Sequence, residues 1–280
     1  MNRLCLLGLV LIVAAVPAVA DTPKTLANRN VRYGMPGTAK DDPDHKEAFL
    51  IDRTQYVMSY NDKHKTPNWV CWQLVAKDIG RTQRGAFEPD KALPKSFTHI
   101  TTATYTGSGF DRGHMCPSKD RSDTEENNDA VFLMTNIVPQ SSACNQKGWE
   151  KFESYCRTLA EDGKELYIAC GPHGIGGVAA DGAKHLTVGK KAPFVTVPAH
   201  VWKVVLVLDK GTNPTKHSRA IAVWMPNDQT VTDHWADYRV SVAEVEKKTG
   251  LKFFPLMSND VAEAIKDKPD TVKIHPPKKP

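Results

Sequence analysis

The sequence lacks the features of a membrane protein, a structural zinc protein and a repeat protein. After the first 20 residues, no segment stays apolar for long enough to cross a bilayer. None of the six cysteines lies at the close spacing of a structural zinc site. No internal repeat and no convincing linker divides the chain. These absences favour a single globular domain.

The one long apolar run lies at the N-terminus, where residues 4–16 follow Arg3. This run is short for a membrane span, and the Ala18-Val19-Ala20 that follows is an Ala-x-Ala cleavage pattern. We therefore expect residues 1–20 to be a signal peptide. The mature chain would be exported, to the periplasm or to the extracellular medium. An uncleaved membrane anchor is the alternative.

Charge and cysteine content do not identify a partner. The formal net charge is +5, and loss of Arg3 with the signal peptide would lower it to +4. This mildly basic balance is compatible with a polyanionic partner but does not demonstrate one. Export permits disulfides, although the sequence does not give their connectivity. The predicted mature chain keeps five cysteines: Cys71, Cys116, Cys144, Cys156 and Cys170.

Hydrophobic patterning predicts one α+β domain over residues 49–258. The polar residues 21–48, rich in Pro, Gly and Asp, predict an extended N-terminal arm. The Lys/Pro-rich residues 259–280 predict a disordered tail. Within the domain, the periodicity predicts strands at 50–60, 69–75, 132–138, 166–171, 200–208 and 218–225, and helices at 122–130, 145–159 and 240–249.

The first segment that could take part in a reaction is Phe110-Asp111-Arg112-Gly113-His114-Met115. A neutral imidazole can accept a proton from water near pH 7, so His114 is a candidate base. Asp111 could orient a neighbouring group, and Arg112 could hold an anion through its planar guanidinium. Gly113 permits a tight backbone. Most histidines have no catalytic role, so His114 alone does not establish one.

The second segment carries Asn145, Trp149, Glu153 and Arg157 at intervals of four residues. At about 100° per residue, these positions drift by only about 40° per step and share one side of a helix. One interpretation is an asparagine N-cap followed by a surface Glu153–Arg157 ion pair. The other is a site for a hard cation such as Mg²⁺, which prefers amide and carboxylate oxygens, with Arg157 beside a phosphate. The spacing does not choose between them.

Three segments together resemble the DNA/RNA non-specific endonuclease family, which includes secreted Serratia-type nucleases and endonuclease G-like enzymes. They are residues 105–115, 135–140 and 145–153, and the likeness extends from about residue 30 to residue 257. The resemblance implies a ββα-metal (His-Me finger) fold of the α+β class, with a central, mostly antiparallel sheet flanked by helices. A histidine on a β-hairpin would face the helix that carries the metal ligand.

The resemblance also implies roles for individual residues. His114 matches the general base, Asn145 the direct Mg²⁺ ligand, and Glu153 a carboxylate that contacts the metal through water. Mn²⁺ or another divalent cation could replace Mg²⁺. The remaining catalytic and substrate positions match Asp111, Arg112, Asn136, Arg157 and, more loosely, Arg84 or Arg81.

The implied reaction is Mg²⁺-dependent hydrolysis of DNA and RNA to 5′-phosphate ends, by a chain that could form a homodimer and has no membrane partner. Cys116 and Cys144 are not explained by the family pattern, and a disulfide between them would join the two halves of the site. Two alternatives stay open. One is an exported metal-dependent phosphodiesterase that acts on nucleotides or small diesters, and the other is a non-catalytic nucleic-acid-binding module.

Overall fold

A seven-stranded antiparallel sheet forms the centre of the molecule. The computed structural model describes residues 27–274, so the predicted signal peptide and the last six residues lie outside the described part of the chain. The strands of the sheet are β1 (Phe49–Asp52), β2 (Val57–Asn61), β3 (Thr66–Leu74), β6 (Lys164–His173), β11 (His200–Asp209), β12 (Arg219–Pro226) and β13 (Arg239–Val240), and they lie in that order. Each neighbouring pair is antiparallel.

Six shorter strands form three two-stranded ribbons outside the sheet. Strand β4 (Asp111–His114) pairs with β5 (Ile137–Gln140). Strand β7 (Gly177–Val178) pairs with β8 (Lys184–His185), and β9 (Thr187–Val188) pairs with β10 (Val195–Thr196). The helices are α1 (Glu125–Val131), α2 (Glu150–Glu161), α3 (Val242–Thr249) and α4 (Asn259–Lys266). No helix within residues 27–274 has the length and apolar character needed to span a membrane.

Both faces of the central sheet are covered, because successive side chains of a strand point to opposite faces. In β11, Val201 and Val205 pack on one side with Phe152 of α2. Trp202 and Leu206 pack on the other side with α3 and α4. The predicted α+β fold with a mostly antiparallel sheet is therefore confirmed.

Two predicted strands are shorter than the patterning indicated. The predicted strand at 50–60 divides into β1 and β2, because the chain turns where the Arg53 N–H donates to the Tyr56 carbonyl oxygen at 2.9 Å. The predicted strand at 132–138 begins as a 3₁₀ turn, Met134–Asn136, before β5. The Met134–Asn136 segment is buried, and apolar character alone does not distinguish a buried turn from a buried strand.

Helix α1 begins later than the predicted capping box placed it. Thr124 is the N-cap, and its side chain accepts a hydrogen bond from the Asn127 N–H at 3.1 Å. The Ser122 hydroxyl is already bonded to Gly80, whose N–H donates to it at 2.9 Å. The tertiary contact therefore removes Ser122 from the capping position.

The structure differs from the predicted extended arm in residues 27–48. Arg29–Val31 forms a 3₁₀ turn, and Asn30 and Val31 are buried. Asn30 Nδ2 donates to the Thr54 carbonyl oxygen at 2.9 Å, while Asn30 Oδ1 accepts from the Gln73 N–H at 3.0 Å. The polar side chain is thus satisfied inside the protein, which composition could not indicate.

The first part of the predicted disordered tail also belongs to the domain. Helix α4 buries Ala262 and Ile265 against the sheet layer. Beyond it, the buried Asp270 pairs with Arg219 at 2.8 Å and with Arg239 at 3.3 Å. These contacts attach the chain to β12 and β13, so Lys and Pro content was a poor guide to order here.

Candidate active site

The β4–β5 ribbon and the start of α2 enclose a cleft with a volume of about 430 Å³. His114 is the last residue of β4, and Asn145 lies in a π-helical turn, Cys144–Trp149, that leads directly into α2. The cleft brings together Arg84, Arg112, His114, Asn145, Glu153 and Arg157, and Arg81, the alternative to Arg84, lines it too. Asp111 and Asn136 do not line it.

Gly113 allows the ribbon strands to pack closely. A Cβ atom at this position would lie 2.1 Å from Gln140 Oε1 and 2.6 Å from Gln140 Cβ on the facing strand. The residue is in ordinary β conformation, since it is not among the glycines with positive φ. The sequence suggested that Gly113 permits a tight backbone conformation. The structure instead shows that the glycine is needed because a side chain at this position would collide with Gln140.

His114 is held between two aromatic rings. The Phe132 ring centroid is 4.7 Å away and almost perpendicular, and the Phe87 centroid is 5.2 Å away. Burial, and then the positive charge of Arg84, lower the pKa of His114 to about 3. The ring is therefore neutral near pH 7. Its Nε2 is enclosed and has no hydrogen-bond partner in residues 27–274.

Asp111 orients the side chain of Asn145. Asn145 Nδ2 donates to Asp111 Oδ2 at 2.8 Å, and Gln146 Nε2 donates to the same oxygen at 2.8 Å. The amide nitrogen is therefore occupied as a hydrogen-bond donor. This leaves Asn145 Oδ1 free in the cleft as an oxygen that could bind a metal ion. The N-cap interpretation of Asn145 is wrong, because its own N–H already donates to the Ser141 carbonyl oxygen inside the helical turn.

Glu153 forms a buried ion pair with a residue that sequence reasoning missed. Lys203 Nζ, from the central strand β11, lies 3.1 Å from Glu153 Oε1, and Lys203 is only 1% exposed. Burial raises the pKa of Glu153, while Lys203 and then Arg157 oppose that shift. The alternative interpretation, a surface Glu153–Arg157 ion pair, is excluded, since both side chains are buried and each has another partner.

Lys203 did leave a signal in the sequence. It is the one charged residue within the apolar residues 201–208. A lysine inside a buried strand needs a compensating anion, because an isolated buried charge is very unfavourable. Its ammonium also lies 4.1 Å from the ring centroid of Trp149, one turn before Glu153 on the same helical stretch. The lone lysine therefore predicted a buried partner without identifying it.

Arg157 is fixed from the interior by Asp120, a second residue that was missed. Arg157 Nη1 lies 3.1 Å from Asp120 Oδ1, and Asp120 is 1% exposed. The other oxygen of Asp120 accepts a hydrogen bond from Trp72 Nε1 at 3.0 Å, which connects the arginine to β3. The guanidinium is thus held at the floor of the cleft.

Arg112 and Arg84 are exposed and flank the histidine. The Arg112 guanidinium carbon lies 4.9 Å from the centroid of Phe87, and that of Arg84 lies 5.3 Å from the centroid of Phe132. Both arginines therefore stack on the rings that also hold His114. The cleft wall nearest the histidine is positively charged and open to an anion.

Asn136 supports the site from outside the cleft. It is fully buried, and its Nδ2 donates to the carbonyl oxygens of Cys116 and Val131, both at 2.8 Å. Its Oδ1 accepts from the Cys116 N–H at 3.0 Å. These bonds fix the chain just after His114, so Asn136 positions the histidine segment and does not meet the cleft.

The disulfide between Cys116 and Cys144 that the sequence left open does not form. All five cysteines of the described chain are buried and unpaired. Cys144 Sγ instead accepts a hydrogen bond from Gln140 Nε2 at 3.2 Å. Burial raises the pKa of the Cys144 and Cys156 thiols to about 12, so they remain protonated and unreactive.

The donor atoms of the cleft suit a hard divalent cation. Within residues 27–274, no group of three or more His, Cys, Asp or Glu side chains is arranged to hold a metal ion. The free amide oxygen of Asn145 and the carboxylate of Glu153 line the same cleft. Few protein oxygens are enough for Mg²⁺, because this ion usually keeps several of its waters.

This fold and this cleft define a hydrolytic nuclease of the ββα-metal class. A neutral imidazole on a two-stranded ribbon lies across from amide and carboxylate oxygens on a helix, with arginines on both sides. The chain belongs to the DNA/RNA non-specific endonuclease family, whose model matches residues 36–260. It is therefore an endonuclease of a generally metal-dependent family.

Individual relatives agree with this assignment. The chain is 42% identical over 229 residues to a nuclease of Nostoc sp.. The aligned region covers 80% of this chain and 80% of that nuclease. It is 34% identical over 232 residues to the mitochondrial nuclease EXOG of Xenopus laevis, covering 78% of this chain and 63% of that protein. A crystal structure of the EndoG/EndoGI complex matches in fold with a TM-score of 0.69 at 24% identity, over 85% of this chain and 94% of that one.

Proposed function

We propose that this endonuclease is an exported, Mg²⁺-dependent enzyme that hydrolyses phosphodiester bonds of both DNA and RNA and leaves 5′-phosphate ends. The observation that carries the proposal is the pairing across the cleft. His114 lines one side as a neutral imidazole, and Asn145 presents an amide oxygen that Asp111 leaves free on the other.

His114 would act as the general base. In its neutral form it accepts the proton of the water that attacks phosphorus, in line with the departing 3′-oxygen. A pKa of about 3 makes the free ring a weak base. A bound phosphodiester brings a negative charge beside Arg84 and the ring, and such a charge raises the pKa of a neighbouring histidine. Substrate binding would therefore activate the base.

Mg²⁺ bound through Asn145 Oδ1, and through water to Glu153, would supply positive charge for the phosphate in the transition state. Arg157 adds a fixed positive charge from the cleft floor, and Arg112 and Arg84 add mobile ones from the rim. Arginines that contact backbone phosphates carry little sequence information, so little sequence preference is expected. Because water is the nucleophile, no 2′-hydroxyl is needed.

Degradation assays with plasmid and with RNA test this function. The purified protein should degrade both in Mg²⁺ and neither in EDTA, and His114→Ala should lose about a hundred- to ten-thousandfold in rate if it removes the base. His217→Ala, at an exposed loop histidine, is the matched control. Activity of His114→Ala at the wild-type rate would refute the assigned base. Turnover of a dinucleotide diester but not of plasmid would favour a small-diester phosphodiesterase instead.

Export is a part of the proposal that rests on the sequence pattern of residues 1–20. Cell fractionation followed by N-terminal sequencing should find a mature chain that starts at Asp21 outside the cytoplasm. A full-length cytoplasmic chain would contradict export while leaving the enzymatic proposal intact. Assembly as a homodimer stays a prediction, which analytical ultracentrifugation can measure.

A further inference from the structure

Glu150 is an acidic residue in a cleft that must admit a polyanion. It is the first residue of α2, and it lines the cleft together with His114, Asn145 and Arg157. Its side chain is 32% exposed. Negative charge in this place opposes the binding of phosphate, so its presence there needs an explanation.

Three cations surround the Glu150 carboxylate. Lys119 Nζ lies 3.7 Å from Oε1, and Arg157 Nη2 lies 3.6 Å from the same oxygen. Lys151 Nζ lies 3.5 Å from Oε2. Lys119 and Lys151 are exposed, whereas Arg157 is at the cleft floor. The carboxylate is therefore held by charge from three directions, in the manner of a bound anion.

The two halves of the Arg157 guanidinium have different partners. Nη1 contacts the buried Asp120 at 3.1 Å, a pair that solvent does not reach. Nη2 contacts Glu150, which is partly exposed and accepts no side-chain hydrogen bond within residues 27–274. The first contact is a permanent anchor. The second contact is longer, at 3.6 Å, and its carboxylate is partly exposed, so it is given up more readily than the first.

We propose that Glu150 occupies a backbone-phosphate position in the substrate-free enzyme and competes with nucleic acid for Lys119, Lys151 and Arg157. A carboxylate and a phosphodiester each carry one negative charge, so the same cations serve either of them. When substrate enters, Glu150 swings towards solvent and the phosphate takes its cations. Glu150 thereby weakens the binding of nucleic acid. This inference deepens the proposed function and rests on it.

The test compares nucleic-acid binding by Glu150→Gln and by the wild type in EDTA, where no cleavage is expected. The probe is a short fluorescein-labelled duplex, measured by anisotropy over a series of salt concentrations. Loss of the competing charge should tighten binding roughly three- to tenfold. The slope of log affinity against log salt should change by less than about one unit, because the phosphate takes the same cations in both proteins.

Glu161→Gln is the matched control, because Glu161 is exposed at the other end of α2 and its replacement changes net charge equally. Its affinity should stay within about twofold of the wild type, since exposed charges beyond a Debye length are screened. Equal or weaker binding by Glu150→Gln would overturn the inference, as would an equal gain in Glu161→Gln. A wild type that neither binds nor cleaves nucleic acid would overturn the proposed function itself.

Discussion

Replacement of Lys203 by methionine should cost more stability than its single ion pair suggests. Lys203 Nζ lies 3.1 Å from Glu153 Oε1, with both side chains buried. Methionine fills a similar volume but leaves the Glu153 carboxylate without its partner in the interior. Breaking a buried pair in this way typically costs about 3–5 kcal/mol in the free energy of unfolding.

A double-mutant cycle separates the pair from the packing. Glu153→Gln removes the buried negative charge, and the double variant Lys203→Met/Glu153→Gln leaves no unpaired charge. The loss in the double variant should therefore be smaller than the sum of the single losses by about 1–3 kcal/mol. Urea unfolding followed by tryptophan fluorescence is a suitable assay, because Trp149 and Trp72 lie beside the lysine.

Lys63→Met supplies the control, because Lys63 pairs with Glu47 at 3.9 Å on the exposed surface. Its loss should be below about 1 kcal/mol. Strict additivity in the cycle, or a Lys203→Met loss as small as that of Lys63→Met, would refute the assigned pair. Lys203→Met should also lower metal affinity or turnover roughly 10- to 100-fold, since residues that orient a metal-site carboxylate have effects of that size.

Three further predictions follow from the site. His114 should make the free energy of unfolding fall by roughly 4–5 kcal/mol as pH drops from about 6.5 to 3. The reason is that the folded state, with its lowered histidine pKa, binds the proton more weakly than the unfolded state does. Urea unfolding measured across this pH range should show that the pH dependence is lost in His114→Asn and kept in His217→Asn. Asp111→Ala should raise the Mg²⁺ concentration for half-maximal activity about tenfold, because Asn145 loses the acceptor that orients its amide; an unchanged Mg²⁺ titration would contradict that role. Dithiothreitol should shift the melting temperature by less than about 2 °C, because the five thiols are unpaired; calorimetry showing a larger fall would indicate a disulfide.

The predictions that succeeded depended on local patterns. The predicted strands at 200–208 and 218–225 match β11 and β12 within a residue or two at each end. Helix α3 ends where Gly250 adopts a left-handed conformation with φ of 75°, as a C-cap glycine should. Alternating apolar residues and glycine caps act over a few residues, so they can be recognised without knowledge of the rest of the chain.

The features that local patterns left open or missed depended on partners distant in sequence. The hydrogen bond of Asn145 to Asp111 spans 34 residues, and it orients the amide oxygen whose role the spacing left open. The Lys203–Glu153 pair spans 50 residues and excludes the surface ion pair that was the alternative interpretation of Glu153. Composition was equally uninformative for residues 27–48, where the buried Asn30 bonds to distant backbone groups, and for α4, which buries Ala262 and Ile265.

The sequence by itself determined the family, the fold class and most of the residues that meet in the cleft, because its motif segments carry Arg112, His114, Asn145 and Glu153 at characteristic spacing. Only the tertiary structure decided what each side chain does there. The approach of β4 to the helical turn leaves the Asn145 oxygen free, the position of β11 pairs Glu153 with Lys203, and the fold places Glu150 among three cations. Ion pairs and hydrogen bonds depend on distances of a few ångströms between remote segments, and such distances exist only after the chain has folded.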